Sequence, residues 1–287
     1  ESIKLLIKEF EFLGFNFIRV FPKITKNQNL VDIEFSVKEG PEKYINKIII
    51  MGNTRTNDRV IRRELSFLEG DPFNKNKLTT SISSLRRLGY FQSVKYRLDE
   101  NDSNLIDIII DVKETNTGSA SFGVGYSTLS DTTFSFGLNE KNFLGEGKKV
   151  NFQADLSHKK STYKIGVVEP YYLERHLSLY GDIFSQETEN SKGDIKSDSS
   201  GFGLGLGFKK EVLNQSIRYK FSTSETTTST TSTAASTTGE EGVEIITSSI
   251  THSVSKDTRD SYFNPTSGYK WSLSNTFSGI GGDAKFY

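Results

Sequence analysis

From residue 118 onward the chain alternates apolar side chains with glycine, serine or polar ones, segment after segment. Because successive side chains of a β-strand point to opposite faces, this pattern predicts strands with one apolar face and one small or polar face. Strands that cross a membrane need about 9 to 11 residues of such alternation. The apolar positions of the predicted strands are 120, 122, 124 and 126; 134, 136 and 138; 150, 152, 154 and 156; 163, 165 and 167; 177, 179 and 183; 202, 204, 206 and 208; 217, 219 and 221; 246, 250 and 254; and 269, 271, 273 and 277.

This pattern amounts to about nine strands in up-and-down order. It predicts an all-β, antiparallel, up-and-down transmembrane barrel. The barrel is expected to be incomplete, because bacterial barrels close with an even number of strands and an open edge in lipid leaves backbone groups unpaired. A soluble β-sandwich, which also alternates, is the alternative. The many strands whose polar face is glycine or serine favour the barrel.

The predicted turns differ in length on the two sides of this sheet. Segments 142–147, 173–176 and 211–215 are short, whereas 190–199 and 222–244 are long. Since barrels keep short periplasmic turns and longer outer loops, the long segments are expected on the extracellular side. Fourteen of the seventeen residues from 222 to 238 are serine or threonine, which predicts a mobile extracellular loop too polar to pack.

Residues 1–117 have a different character. Only five of the 24 glycines lie there, and helical and strand patterns alternate. An ungapped internal repeat runs through this part, so that Leu13-Gly14 recurs as Leu88-Gly89 and segment 29–33 recurs as 104–108. Such a repeat indicates tandem domains.

The complete copy of the repeat is predicted at residues 44–115 in the order β-α-α-β-β. Its first helix is expected to begin at Thr56 or Asn57 and to end at Gly70. Residues 1–40 supply only the last helix and two strands of a preceding copy, and residues 118–287 supply the N-terminal half of the barrel. We therefore expect an internal fragment. The other predicted elements of the complete copy are a strand at 45–51, a helix at 74–88 and strands at 90–98 and 105–112, and the buried face of its first helix is Val60, Ile61, Leu65 and Leu68.

Composition gives no sign of catalysis or of nucleic-acid binding. The 36 basic and 36 acidic residues balance, and the absence of cysteine excludes thiol chemistry within this chain. The histidines at 158, 176 and 252 lack ligand-like spacing, and no motif pairs a serine with a histidine and an acid. The alternating glycines of 201–207 lack the helix and lysine of a nucleotide-binding loop. We predict no enzyme activity, cofactor or metal, and a structural ion network among Asp257, Arg259 and Asp260.

Several segments, in the expected order, resemble the outer-membrane protein assembly factor family. The resemblance implies α+β periplasmic polypeptide-transport-associated (POTRA) domains followed by the transmembrane barrel. The barrel's second half, with the family's Val-Arg-Gly-Phe motif, does not occur in this sequence. The matching segments are 52–56 (Gly-Asn-Thr-Arg-Thr), 61–65 (Ile-Arg-Arg-Glu-Leu), 69–71 (Glu-Gly-Asp), 88–91 (Leu-Gly-Tyr-Phe), 113–119 (Lys-Glu-Thr-Asn-Thr-Gly-Ser), 123–126 (Gly-Val-Gly-Tyr), 142–147 (Asn-Phe-Leu-Gly-Glu-Gly), 169–172 (Glu-Pro-Tyr-Tyr) and 257–260 (Asp-Thr-Arg-Asp) with Pro265 and Gly268.

The resemblance further implies a function in folding and inserting β-barrel proteins into the bacterial outer membrane, with residues 1–117 in the periplasm. Expected partners are unfolded outer-membrane β-barrel clients, periplasmic accessory lipoproteins and outer-membrane lipids. A two-partner-type export barrel and a passive porin are the alternatives, although tandem periplasmic domains argue against a porin.

Two sets of site residues follow from the resemblance. Accessory subunits are expected to dock at Arg62, Arg63 and Glu64, which the pattern places in the middle of a helix. A first barrel strand is expected to template client strands through its backbone, and its alternating glycines either make it pliable or make room on the polar face. The strand consists of Ser119, Ala120, Ser121, Phe122, Gly123, Val124, Gly125, Tyr126 and Ser127.

Overall fold

The computed structural model describes residues 2–12, 17–27, 30–101, 104–128, 131–189, 195–210, 212–231, 238–259 and 265–283. The chain consists of two compact units, Glu1–Thr117 and Gly118–Tyr287. No helix in the described part of the chain has both the length and the apolar character needed to cross a membrane.

The first unit begins with one helix and a hairpin and continues with a βααββ arrangement, which confirms the predicted order. The three-stranded sheet has the order β3-β5-β4, so the last strand, β5, is central, parallel to β3 and antiparallel to β4. The elements are α1 (Ser2–Phe12), β1 (Arg19–Asn27), β2 (Leu30–Lys38), β3 (Tyr44–Met51), α2 (Asp58–Arg62), α3 (Lys75–Arg87), β4 (Phe91–Asn101) and β5 (Leu105–Glu114).

The core of this unit lies between the sheet and the two helices α2 and α3. Ile106, Ile108 and Ile110 of β5 are fully buried, because the central strand is covered along its length. Helix α3 faces them with Leu78, Ile82 and Leu85 at helical spacing, and Asn74 caps its start by accepting a hydrogen bond from the Lys77 amide.

Helix α2 is shorter than predicted. It ends at Arg62, and the chain then continues through turns to Gly70. Val60 and Ile61 are fully buried as expected, but Leu68 is 70% exposed, because beyond the short helix the helical spacing no longer determines its direction. Asn57, one of the two predicted cap residues, occupies the N-cap position, but its side chain makes no cap hydrogen bond.

In its described residues the second unit is one antiparallel sheet of nine strands in sequence order, which confirms the predicted up-and-down arrangement. Each strand pairs with the strands that precede and follow it in the chain, so the ends of the sheet are β6 and β14. The strands are β6 (Gly118–Ser127), β7 (Asp131–Phe143), β8 (Lys148–Ser157), β9 (Lys160–Glu169), β10 (Leu177–Glu189), β11 (Ile195–Lys210), β12 (Leu213–Thr231), β13 (Thr238–Asp257) and β14 (Lys270–Ser278).

The register of the sheet puts apolar side chains on one face and small or polar side chains on the other, hereafter the apolar face and the polar face. Phe136 lies opposite Phe122, and Phe202 lies opposite Phe221 with their rings stacked at 5.6 Å. On the polar face Ser121 lies opposite Gly137, and Gly137 lies opposite Gln153. The alternation read from the sequence is therefore continuous across the sheet.

The serine- and threonine-rich segment is not a loop as far as the structure describes it. Strand β12 continues to Thr231 and pairs with β13 from Thr238 onward, so only residues 232–237 of this hairpin lie outside the described residues. Residues 195–199 of the other predicted loop belong to strand β11. Threonine is common in extended strands, and pairing of β12 with β13 satisfies the backbone N–H and C=O groups. The polarity of the side chains was therefore not enough to predict a loop here.

Candidate functional site

Strand β6 is the edge at which the sequence predicts client pairing. Among the described strands it has one neighbour, β7, with which it pairs from Gly118 opposite Glu140 to Ser127 opposite Asp131. The backbone groups of β6 that point away from β7 belong to no described ladder. Such a row of N–H and C=O groups can accept another strand.

Side chains hold β6 only weakly to the rest of the sheet. Phe122 and Tyr126 are 71% and 75% exposed, and all but one of its ten residues are exposed. A Cβ atom at Gly125 would meet nothing within 4 Å, and one at Gly123 would lie 3.7 Å from the Ser135 Cβ, an ordinary contact. Within the described chain these glycines make room for no neighbour, which favours the interpretation that they make the strand pliable.

The chain segment that leads into β6 is held by a buried carboxylate. Glu114, whose side chain is 7% exposed, accepts hydrogen bonds from the amides of Thr54, Arg55 and Thr56 at 3.1, 2.9 and 2.7 Å. The Thr54 hydroxyl donates a fourth at 2.8 Å. Burial alone would raise the pKa of Glu114, but the hydrogen bonds from Thr56, Thr54 and Arg55 outweigh it and lower the pKa from 4.5 to about 2.

The loop that surrounds Glu114 depends on Gly52. This residue has a φ of +89°, and a Cβ atom there would lie 2.0 Å from the carbonyl oxygen of Val112. Only glycine lets the chain leave β3 so close to β5 and aim three successive amides at Glu114. The resemblance singled out this loop as a family signature, but the sequence did not predict that Glu114 is its partner.

The predicted docking residues do not lie in the middle of a helix, which corrects the sequence interpretation. Arg62 is the last residue of α2, Arg63 is its C-cap, and Glu64 follows in a turn. The Arg62 guanidinium binds the carboxylates of Asp58 and Glu69 and the carbonyl of Ile48. Arg62 is exposed, whereas Arg63 and Glu64 are half-buried.

A polar network crosses the polar face of the second unit. Asp182 of β10 binds Arg218 of β12 across the intervening strand, and the Lys164 ammonium lies 3.9 Å from its other oxygen. The pair lies over Gly203, where a Cβ atom would come within 2.7 Å of the Asp182 carboxylate. No sequence pattern indicated this ion pair, since its members lie on different strands.

No group of three or more acidic, histidine or cysteine side chains among the described residues could hold a metal ion. His176 packs against the Tyr171 ring at 5.1 Å. Of the predicted ion network, Arg259 binds both carboxylate oxygens of Asp257, at 2.9 and 2.8 Å, and Asp260 lies outside the described residues.

Comparison with known families decides the identity of this fold. The Omp85 superfamily domain model matches residues 142–287. The POTRA model, described as surface antigen variable number repeat, matches residues 43–115. The chain belongs to the Omp85 superfamily. Like others of the family, this Omp85 chain is an outer-membrane protein with its POTRA part in the periplasm.

Several relatives of this Omp85 chain are outer membrane protein assembly factors named BamA. The chain is 30% identical to the outer membrane protein assembly factor BamA of Nitratidesulfovibrio vulgaris, over 99% of this chain and 36% of the relative. It is 27% identical to BamA of Neorickettsia risticii, over 100% of this chain and 39% of the relative. The chain therefore spans little more than a third of the length of these curated relatives.

Solved structures support the same fold. BamA from Haemophilus ducreyi lacking POTRA domains 1–3 matches with a TM-score of 0.80 at 23% identity, over 98% of this chain and 58% of that one. CdiB from Acinetobacter baumannii matches with a TM-score of 0.54 at 13% identity, over 99% of this chain and 53% of that one. The fold class, POTRA domain plus incomplete antiparallel barrel, is thereby confirmed.

Proposed function

We propose that this chain is part of a non-enzymatic factor that folds β-barrel proteins and inserts them into the bacterial outer membrane. Residues 1–40, the C-terminal part of one POTRA domain, and residues 44–115, a complete one, receive unfolded clients in the periplasm. Residues 118–287 form the N-terminal half of the barrel, and strand β6 is the template. The observation that carries the proposal is the backbone edge of β6, which has one described neighbour and exposed side chains.

The chemistry of templating is the completion of backbone hydrogen bonds. Each backbone N–H or C=O left unpaired in the hydrocarbon layer costs several kcal/mol, because no water is present to replace the partner. A client strand that pairs with β6 removes this cost for both chains and adds one strand to the sheet. The client's own folding then drives insertion, and no nucleotide is consumed.

Disulfide trapping tests the template. Since a disulfide needs Cβ atoms about 3.5–4.5 Å apart, it forms only between directly adjacent strands. Gly125→Cys is placed in the complete protein, made cysteine-free elsewhere, and Ser135→Cys in β7 is the matched control. Both positions lie on the polar face, but β7 is paired on both sides.

We expect Gly125→Cys to trap client cysteines at alternate positions, because only every second side chain of a paired strand shares its face. Ser135→Cys should trap none. No client disulfide at Gly125→Cys, or equal yields at both positions, would contradict the proposal.

An export barrel is the second candidate. The polar face, with Lys164, Asp182 and Arg218, gives a possible lining for the path of a translocating chain. A passenger that crosses the barrel would form disulfides with an added cysteine at Ser253, on the same face of the internal strand β13, in preference to Gly125. The same trapping experiment therefore separates the two functions.

We also propose that an accessory lipoprotein docks at Arg62, Arg63 and Glu64, while lipids contact the apolar face. The exposed Leu68 lies next to Glu69, a partner of Arg62, and together they offer an apolar and charged surface. Glu64→Lys should reduce co-purification of the accessory subunit, whereas Glu100→Lys, in an exposed ion pair elsewhere in the domain, should not. Unchanged co-purification of the Glu64 variant would reject this surface.

A further inference from the structure

The connection between the POTRA part and strand β6 is unusually well fixed on its periplasmic side. Beyond the four hydrogen bonds to Glu114, the Thr115 amide donates to the Tyr90 carbonyl at 3.0 Å, and Arg55 donates to the Thr115 carbonyl at 3.2 Å. Both backbone groups of Thr115 are thus bound within the first unit. Only Asn116 and Thr117 separate this fixed segment from Gly118, the first residue of β6.

The three residue steps from Thr115 to Gly118 span about 11 Å at most, because an extended chain advances about 3.3–3.6 Å per residue. The start of β6 therefore cannot move far from Thr115. Without the Glu114 carboxylate, the 54–56 loop, and with it Arg55, loses its hold on this segment. Residues 114 and 115 then keep only the backbone bonds to Phe91 and Tyr90 at the end of β5, where strands fray. Fraying of both residues would double the length of the free connector. For a linked pair of binding surfaces, effective concentration falls roughly as the −3/2 power of linker length, so doubling lowers it about threefold.

We propose that Glu114 is a positioning residue for client pairing, which holds the start of strand β6 to the POTRA domain through the 54–56 loop. This inference rests on the proposed function, since it concerns the transfer of a client from the POTRA domain to β6. A client bound by the domain then meets the template at the highest local concentration the chain allows.

The tests use the complete protein with Gly125→Cys as parent. Glu114→Ala removes the acceptor of four hydrogen bonds, and Glu114→Asp keeps the charge on a shorter side chain. Glu100→Ala is the matched control, because it removes an exposed carboxylate that pairs with Lys43 in the same domain. A Gly-Ser insertion between Asn116 and Thr117 lengthens the connector and leaves Glu114 in place.

The readouts are amide exchange at Thr54, Arg55 and Thr56 and the yield of client disulfides at Gly125→Cys. Glu114→Ala should accelerate exchange about tenfold or more, because each hydrogen bond to a charged group is strong. It should lower the disulfide yield by up to about threefold, the limit set by complete fraying of residues 114 and 115. Glu114→Asp should recover part of both, and Glu100→Ala should change neither. The insertion should lower the yield without changing exchange, which a purely structural role of Glu114 would not produce.

Two results overturn the inference alone: an unchanged disulfide yield in Glu114→Ala despite faster exchange, or an unchanged yield in the insertion variant, in which the domain itself is unaltered. A parent protein that traps no client overturns the proposed function, and this inference with it. The failures of the two proposals are therefore distinguishable.

Discussion

Strands β6 and β11 share one sequence pattern and differ in what surrounds it. Both carry glycine at alternate positions on the polar face. Around β11 a Cβ atom at Gly201 would lie 2.2 Å from the Phe221 carbonyl oxygen, and one at Gly207 would lie 2.8 Å from the Tyr180 hydroxyl. Around β6 a Cβ atom at Gly125 would meet nothing within 4 Å.

The difference teaches that glycine in a membrane strand has two opposite uses. In β11 the absent side chains are replaced by neighbours, so the strand is packed between β10 and β12. In β6 nothing in the described chain replaces them, and the strand keeps the backbone freedom of glycine with few contacts to oppose local opening. A pattern that looks the same in sequence thus occurs in a closely packed strand and in an open one of the same sheet.

The largest expected effect concerns the hydrogen bonds between Glu114 and the 54–56 loop, hereafter the Glu114 anchor. They fix the chain just before β6. The folded pKa of Glu114 is about 2, below the ordinary 4.5, so the stability it contributes is complete above about pH 5 and is lost as the pH falls toward 2. The shift corresponds to about 3 kcal/mol at neutral pH. Amide exchange of the 54–56 loop, followed from pH 6 down to about 2.5, should show this loss.

The matched variant for this titration is Glu114→Gln, which cannot ionise. Its exchange, corrected for the intrinsic pH dependence, should not change over the same range. A loop that gains protection as the pH falls, or an equal pH dependence in the variant, would show that the anchor is not this carboxylate.

Alanine substitution compares the two strands directly. Gly201→Ala should destabilise the barrel by about 2 kcal/mol, because a backbone oxygen blocks the new methyl group and the strand must shift. Gly205→Ala should cost less, since the nearest backbone atom is 3.2 Å away. Both costs can be measured as the temperature at which half of the folded barrel has unfolded, seen as a shift in its mobility on a gel. If the Gly201 variant is as stable as the parent, the contrast between β11 and β6 is wrong.

A double-mutant cycle of Arg218→Ala and Gly203→Ala tests how β11 is packed. Arg218→Ala should cost about 1 kcal/mol, because it leaves the mostly buried Asp182 with only the Lys164 ammonium at 3.9 Å. Gly203→Ala should be less costly in that background than in the parent, since the arginine it displaces is already absent. Strictly additive costs would mean that Gly203 does not serve this ion pair.

The smallest expected effect has the opposite sign. Gly125→Ala should stabilise β6 by about 0.5 kcal/mol, because it removes the backbone entropy of glycine and meets no neighbour. Amide exchange along β6 should slow while exchange in β8 and β9 is unchanged. Faster exchange in the variant would indicate that Gly125 has a packing role after all.

The sequence predicted the strands and their faces because alternation is local and each strand carries its own pattern. It also predicted α3 at residues 74–88, which the structure places at Lys75–Arg87. The predicted length of α2 was wrong: the apolar residues keep helical spacing up to Leu68, but the helix ends at Arg62. The prediction was also wrong at 222–231, where composition indicated a loop and pairing with β13 makes a strand.

The site was predictable only in part. The position of β6 as the first strand followed from the order of elements and the resemblance. The role of Glu114 did not, because its partners lie some 60 residues away and act through backbone amides that carry no sequence signal. Nor did the sequence separate the glycines of β6 from those of β11, since that difference lies in the neighbouring strands.

The long β12–β13 hairpin also has a practical consequence for work on intact cells. Strands of 19 and 20 residues exceed the roughly 9 to 11 needed to cross the bilayer, so the ribbon projects beyond it. No lysine or arginine occurs between Lys220 and Lys256, so trypsin has no site in the projecting part. A segment that survives surface digestion with trypsin is therefore not shown to be hidden, whereas a glutamate-specific protease can cut at Glu225, Glu240, Glu241 and Glu244 and reports its exposure directly.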